Sequence, residues 1–382
     1  MPDLSELVLE GDPPPDSDDS TLFPAQFYQH SSVALGLDTC CVLHMVMCGD
    51  KLCATSDAGS QCIYSLETLT KSHSFQPHCK AVTGVACHTS KPQQLVTCSL
   101  DQTVKLWDTR QDCTEPVTIL RDTSKPGTGP PVEPGRPLNC VAVNSAGLIV
   151  SGTEQVAGES YILFWDSRVG NRLLGGYWDT HSDDITTLQF HPDKQDLLSS
   201  GSTDGLANVL DLAQTDEESA LLNSLNTNDS VAGLTWLSQN KLAIRTHTEG
   251  LLIWNSDNSS PQVTLSRSDV CKGIGRRVSD YTYIAGIHPS INANDTLSVI
   301  AGSSYLGDAC IRLSEVKDNV IDPVASFGSK GVGLARCSLA LKQCYVTGGE
   351  DGVVKVWKEG SESTRDHGGK VTSKSDVRGK PY

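Results

Sequence analysis

The stretch from His78 to Asp108, HCKAVTGVACHTSKPQQLVTCSLDQTVKLWD, decides the fold, because the chain repeats it without a gap. The repeat runs from His181 to Asp211 and reads HSDDITTLQFHPDKQDLLSSGSTDGLANVLD. A third, shorter copy, VTGGEDGVVKVW, covers Val346–Trp357. Polar residues fall at the same offsets in these copies: His78, Thr97 and Asp101; His181, Ser200 and Asp204; Thr347 and Asp351. Self-similarity of this length predicts an architecture built from one repeated supersecondary unit.

The repeat has a period that indicates how many units the chain contains. Each unit ends on a large apolar residue, and these endpoints are Tyr64, Trp107, Trp165, Leu210, Trp254, Leu313 and Trp357. Their spacing is 43 to 45 residues, except for 58 before Trp165 and 59 before Leu313. Short apolar runs punctuated by 33 Gly and 18 Pro are typical of strands joined by turns. The sequence therefore predicts an all-β fold, a seven-bladed β-propeller of four-stranded blades.

The two ends of the chain differ from the repeats. Residues 1–22 are acidic and Pro-rich, residues 359–382 are polar, and we expect both tails to be disordered and residues 23–358 to form the propeller. Nothing after Trp357 reads as a strand, so the last blade lacks its outer strand. The segment Phe27–Gly36, FYQHSSVALG, is the candidate to supply it, which would close the ring and remove exposed sheet edges.

Composition limits the function. Thirty basic residues against 46 acidic ones give a formal net charge of −16, which argues against nucleic-acid or membrane partners. The 14 cysteines include no CxxC pair, so we interpret most as buried thiols and predict neither a metal nor a cofactor. The first 20 residues lack Lys, Arg and an apolar run, and no stretch is long enough to span a membrane. We expect a cytoplasmic or nuclear protein, monomeric on its own.

In the order and spacing of these motifs, residues 27–358 resemble a WD-repeat propeller, and in particular the family of WD repeat-containing protein 89. That resemblance implies a non-enzymatic propeller. It also implies that Trp107, Thr97, His78 and Asp101 form a hydrogen-bonded chain within their blade, a structural network and not a catalytic triad. The same network is expected from His181, Ser200 and Asp204, truncated by Leu210, and from Thr347, Asp351 and Trp357, where Gly328 replaces the His.

Three insertions lengthen the connections of the repeats. They are Thr123–Pro137, Thr153–Ser160 and Val270–Asp280, and strand direction places all three on the rim that carries the blade histidines. The last contains KGIGRR, in which Lys272, Arg276 and Arg277 are candidates for binding a partner's carboxylate or phosphate. A solvated loop is the alternative interpretation.

Two repeats end in Trp-Asp-x-Arg: WDTR with Arg110 and WDSR with Arg168. This pattern resembles the box by which substrate receptors dock on the adaptor of cullin-RING ubiquitin ligases, where the Arg projects from the lower rim. Its planar fork suits paired hydrogen bonds to a partner. The alternative is a local Asp–Arg pair or a solvated Arg.

Two functions follow. The first is a non-enzymatic scaffold that binds segments of other proteins on the top face of the propeller. The second is a ligase substrate receptor that docks through Arg110 and Arg168. An enzyme is not expected, because nucleophile-and-base pairs, metal clusters and cofactor loops do not occur outside the repeating network.

Overall fold

The repeats fold as blades arranged around a ring. The computed structural model describes residues 22–36, 40–123, 135–256, 258, 260–291, 293, 295–304, 309–328 and 333–360. Within these ranges the chain forms 28 strands in seven blades of four antiparallel strands, which confirms the predicted fold class. The two predicted tails, residues 1–22 and 359–382, lie outside the described residues except for residues 22, 359 and 360.

The first three blades follow one another in the chain, and each runs from an inner to an outer strand. Blade 1 has β2 (Val42–Cys48), β3 (Lys51–Ser56), β4 (Gln61–Ser65) and β5 (Lys71–Phe75). Blade 2 has β6 (Val82–Cys87), β7 (Gln94–Ser99), β8 (Thr103–Asp108) and β9 (Thr118–Arg121). Blade 3 has β10 (Leu138–Val143), β11 (Leu148–Thr153), β12 (Ile162–Asp166) and β13 (Leu173–Tyr177).

The remaining blades include two short helices, α1 (Glu217–Ala220) and α2 (Arg267–Gly273), and a 3₁₀ turn at Ser279–Tyr281. Blade 4 has β14 (Ile185–Phe190), β15 (Leu197–Ser202), β16 (Leu206–Asp211) and β17 (Leu221–Asn226). Blade 5 has β18 (Val231–Trp236), β19 (Lys241–Thr246), β20 (Leu251–Asn255) and β21 (Val263–Leu265). Blade 6 has β22 (Thr282–Pro289), β23 (Leu297–Ser303), β24 (Cys310–Lys317) and β25 (Val320–Phe327). Blade 7 has β26 (Ala335–Leu341), β27 (Cys344–Gly349), β28 (Val353–Glu359) and, as its outer strand, β1 (Ala25–Ala34).

The N-terminal strand closes the ring, as predicted. β1 pairs antiparallel with β28 from Phe27 opposite Glu359 to Ala34 opposite Val353, so it is the outer strand of blade 7. The inner strands β26 and β2 then meet, and each inner strand contacts the next around the ring. The sequence did not predict a second pairing: residues 25–27 also lie parallel to residues 325–327 of β25. The start of β1 therefore joins the outer edges of blades 6 and 7 into one eight-stranded sheet.

Side-chain hydrogen bonds join neighbouring blades at their inner strands. Every inner strand skips one residue in its pairing near its first end, a β-bulge that occurs in all seven blades. Beside it, in five blades, a side chain donates to the carbonyl of a residue in the next inner strand. The pairs are Thr83 to Leu138, Cys140 to Ile185, Thr186 to Val231, Arg245 to Ile284 and Cys337 to Val42.

The core lies between the blades, where apolar faces of neighbouring sheets meet. Trp165, Trp254 and Trp357 are among its largest fully buried side chains. All 14 cysteines are free thiols and nine of them are buried, as predicted. Within the described ranges, side chains of His, Cys, Asp and Glu form no group of three that could hold a metal ion. No described helix is long and apolar enough to cross a membrane.

Candidate functional site

The predicted network is complete in blade 2. The Trp107 indole Nε1 donates to Thr97 Oγ1 over 3.0 Å, and His78 Nε2 lies 2.8 Å from the same hydroxyl. His78 Nδ1 lies 3.0 Å from Asp101 Oδ2. Thr103, which sequence reasoning missed, donates to Asp101 Oδ1 over 2.6 Å. The chain of bonds ties β7 and β8 to the connection that precedes the blade.

The carboxylate of this network stays ionised. Burial alone would raise the pKa of Asp101, but hydrogen bonds from His78 and Thr103 outweigh it and hold that pKa well below its usual range. Asp101 also accepts the backbone N–H of Cys79. An ionised carboxylate that satisfies several local donors stabilises the turn, in keeping with a structural role.

The other two copies are truncated where the sequence predicted. In blade 4, His181 bonds Ser200 at 2.8 Å and Asp204 at 3.1 Å, while Leu210 stands at the Trp position and Asn208 lies 3.5 Å from the imidazole. In blade 7, Trp357 Nε1 donates to Thr347 Oγ1 over 2.8 Å. There Lys355 donates to Asp351 over 2.8 Å, so an ammonium takes the place of the missing imidazole.

The basic insertion is not the solvated loop of the alternative interpretation. Residues 267–273 form α2, which begins with a capping box between Ser266 and Asp269. Val270 and Ile274 are buried in the core between blades 5 and 6. A Cβ at Gly273 would come within 2.2 Å of Ile321, so the helix packs directly on the outer strand of blade 6. The sequence contains the helix cap and the apolar spacing, but the charge of KGIGRR suggested a loop at the surface.

This packing corrects the assignment of the candidate arginines. Arg276 is buried, with 6% of its surface exposed, so it is not available to a partner. Lys272 and Arg277 are exposed, and Lys272 pairs with Asp269 at 3.4 Å. The basic cluster is therefore split, with one arginine inside the fold and two cations at its surface.

The N-terminal segment reinforces the insertion. Phe23 is buried, and the Arg312 guanidinium lies 4.5 Å from the centre of its ring. Arg312 also donates to the carbonyl of Ile274, just beyond α2. The residues before β1 thus pack against the region of the insertion before the chain enters blade 7.

Both Trp-Asp-x-Arg endings form the local pair that was the alternative interpretation. Arg110 donates Nε and Nη2 to Asp108 at 2.9 and 2.6 Å, and Arg168 makes the same fork to Asp166 at 2.9 and 2.7 Å. These bonds lower the pKa of each aspartate. The Arg side chains are nonetheless 68% and 64% exposed on the lower rim.

The top face carries a group of carboxylates across three blades. We define the top face by the connections between the second and third strands of each blade and between successive blades. Across blades 3 to 5 these connections contain eight carboxylates and no Lys or Arg. They are residues 154–160, 178–184, 203–205, 227–230 and 247–250. Sequence reasoning found the insertions on this face but missed its acidic sector.

Several of these carboxylates are fixed in place. Asp184 accepts the backbone N–H of Gln155 over 2.7 Å, which ties the stretched turn 153–160 to the next connection. Glu249 accepts the N–H of Ile284 over 2.9 Å. Burial would raise the pKa of Asp229, but hydrogen bonds from Thr248 outweigh it and keep that pKa below its usual value. The sector is therefore negatively charged and held by hydrogen bonds. Residues 124–134 of the first insertion lie outside the described residues.

Comparison with known families agrees with this geometry. The model of the WD domain, G-beta repeat, matches residues 69–108 and 174–211. The chain is a WD-repeat propeller. The first match runs from the end of blade 1 through the three inner strands of blade 2, and the second runs from β13 through β16. One sequence repeat therefore supplies the outer strand of one blade and the inner three of the next, which leaves the last blade to be completed by β1.

Three curated relatives show how far the similarity extends. An uncharacterised WD repeat-containing protein of Schizosaccharomyces pombe is 23% identical over 84% of this chain and 96% of its own length. An uncharacterised WD repeat-containing protein of Saccharomyces cerevisiae is 30% identical over 56% of this chain and 54% of its own. The WD repeat-containing protein 89 homolog of Dictyostelium discoideum is 25% identical over 59% of this chain and 57% of its own. WD-repeat propellers are generally non-enzymatic and bind other proteins.

Proposed function

We propose that this propeller is a protein-interaction scaffold whose top face, across blades 3 to 5, binds a basic segment of a partner. The observation that carries the proposal is the acidic sector of that face, in which seven carboxylates besides Asp204 of the structural network face no Lys or Arg of the same connections. Complementary charge steers association and excludes wrong partners. The proposed partner segment is therefore basic, whereas the predicted cluster of Arg276 and Arg277 would have bound an acidic one.

The position of the charge supports binding. It lies on connections between strands, which are held by a rigid sheet scaffold, a common location for binding residues. The stretched turn Thr153–Ser160 belongs to this sector, and Glu154 donates its N–H to the carbonyl of Pro137 over 2.9 Å. The end of the first insertion is thus joined to the acidic sector.

The test compares two variants of equal net charge. Glu154→Lys/Asp183→Lys reverses two carboxylates of the top face, and Glu115→Lys/Asp193→Lys reverses two exposed carboxylates of the lower rim. A labelled 12-residue Lys/Arg peptide is titrated against each by fluorescence anisotropy at low and at high salt. We expect the top-face variant to weaken binding about tenfold and the lower-rim variant to change it little. Equal weakening by both would mean that only the total charge matters, and would refute the proposal.

A second candidate function, a cullin-RING substrate receptor, draws support from the two exposed arginines. Arg110 and Arg168 have the same fork to their aspartates and similar exposure in neighbouring blades. Paired, pre-oriented guanidinium groups are suited to recognising carboxylates or backbone oxygens. Binding of a purified ligase adaptor that is lost in Arg110→Glu/Arg168→Glu, and kept in Glu154→Lys/Asp183→Lys, would favour this function over the first.

A further inference from the structure

One tryptophan departs from the pattern of the others. Trp107, Trp165, Trp236, Trp254 and Trp357 are buried, whereas Trp178 is 50% exposed at the end of the outer strand of blade 3. Tryptophan is enriched in the centres of protein interfaces, so an exposed tryptophan with other exposed apolar groups on the same blades is a candidate contact residue.

The backbone around Trp178 is held by a carboxylate of the neighbouring blade. Glu217 of α1 accepts the N–H of Trp178 over 2.9 Å and that of Asp179 over 2.8 Å, and it also accepts the Thr180 hydroxyl. The Tyr177 hydroxyl donates to the Gln214 carbonyl over 3.0 Å. The corner that presents Trp178 is thus fixed to blade 4, so little freedom is lost when a partner binds.

Other exposed apolar side chains lie on the outer strands of the same two blades. Leu221 and Leu222 follow α1 directly and are 40% and 52% exposed, and Leu174 on the strand leading to Trp178 is 53% exposed. Leu174 and Leu222 occupy bulges of the two outer strands, which turn their side chains outward. Tyr177 and Ala220, the chain neighbours of Trp178 and Leu221, belong to one buried cluster between blades 3 and 4, so Trp178 and Leu221 adjoin the same part of the core. We call Leu174, Trp178, Leu221 and Leu222 the side patch.

The charge around the side patch selects its occupant. Residues 173–184 and 213–222 contain no Lys or Arg, and Asp179, Asp216 and Glu218 are exposed. The nearest cation along the chain, exposed Arg172, lies two residues before Leu174, at the end of the strand away from Trp178. A second copy of this chain would set the same carboxylates against each other in a twofold interface, where like charges repel. We infer that the side patch binds a partner segment that combines apolar residues with Lys or Arg, such as a basic amphipathic helix. The side patch and its acidic surroundings adjoin the top-face sector, with which they share Trp178 and Asp179, but the three leucines of the patch lie on the outer strands of blades 3 and 4.

The experiment uses the full chain labelled with ¹⁵N-tryptophan, whose six indole N–H signals are separately observable, with Trp178 assigned by Trp178→Phe. Three 15-residue synthetic peptides serve as probes: one with Leu on one helical face and Lys on the other, one with Glu in place of Lys, and one with Ser in place of Leu. We expect the Leu/Lys peptide to shift the Trp178 signal saturably, and the other two peptides to leave it in place.

Affinity measurements on variants decide the location. We expect Trp178→Ala and Leu222→Ser each to weaken binding of the Leu/Lys peptide at least tenfold. Val320→Ala, at a valine 55% exposed on blade 6, should leave it unchanged. Either of the two patch variants suffices if the other fails to fold. Glu154→Lys/Asp183→Lys should keep the Trp178 response, so failure of the top-face proposal remains distinguishable. Three results would overturn the inference. The first is the absence of a saturable shift, and the second is equal binding by wild type and both patch variants. The third is a Trp178 shift that follows protein concentration alone, which would indicate a second copy of the chain.

Discussion

The three copies of the network predict a graded loss of stability when their hydroxyls are removed. Thr97 serves two buried partners, since Trp107 Nε1 donates to it over 3.0 Å and His78 Nε2 lies 2.8 Å away. Ser200 hydrogen-bonds the buried ring of His181, and Thr347 accepts a hydrogen bond from the buried indole of Trp357. A buried polar group that loses its partner costs about 1–3 kcal/mol.

Thr97→Val should therefore reduce the free energy of unfolding by about 2–6 kcal/mol, and Ser200→Ala and Thr347→Val by about 1–3 kcal/mol each. Blade 5 shows that one unpaired indole is compatible with folding, because Trp254 Nε1 has no hydrogen-bond partner among the described residues. Equilibrium urea unfolding followed by circular dichroism measures the three losses. An equal loss in all three variants, or a loss in Thr97→Val below about 1 kcal/mol, would refute the account of a connected network.

Other consequences of the structure can be measured in the same way. Deleting residues 1–34 removes β1 and should cause aggregation, seen by light scattering, whereas deleting the first 21 residues should leave the melting temperature unchanged. Arg276→Glu places a carboxylate in a buried position and should cost about 3 kcal/mol or more, while Arg277→Glu at the surface should cost less than about 0.5 kcal/mol in the same urea titration. Burial lowers the pKa of His44 and His288 to about 4, so below pH 6.5 the unfolded chain binds protons that the folded one does not. Stability should then fall by up to about 1.4 kcal/mol per pH unit for each histidine between pH 6.5 and 4, and replacing both with Asn should flatten that slope.

The repeats made most of the fold predictable from the sequence. The offsets shared by His78, Thr97 and Asp101 and by their counterparts fixed the blade, and counting its endpoints gave seven. Closure by the N-terminal strand followed because Trp357 ends the last recognisable strand. The repeated spacing predicts the fold because each blade packs against its neighbours through equivalent positions.

Features that differ between blades were harder to predict. The interblade donors include Thr83 and Cys140 of inner strands and Arg245 of a second strand, which share neither position nor chemistry, so they give no sequence signal. Arg276 was misplaced because its charge suggested exposure, whereas α2 folds the insertion into the core. The acidic sector of the top face arises from five separate connections of blades 3 to 5, which come together only when these blades pack side by side.

Hydrogen–deuterium exchange of the full chain with and without the Lys/Arg peptide tests the central claim, that the top face binds basic segments. The account predicts that the peptide protects backbone amides in residues 154–160, 178–184 and 247–250, and that Glu154→Lys/Asp183→Lys abolishes this protection. Protection confined to the lower connections at 109–117 and 167–172, around Arg110 and Arg168, would contradict it.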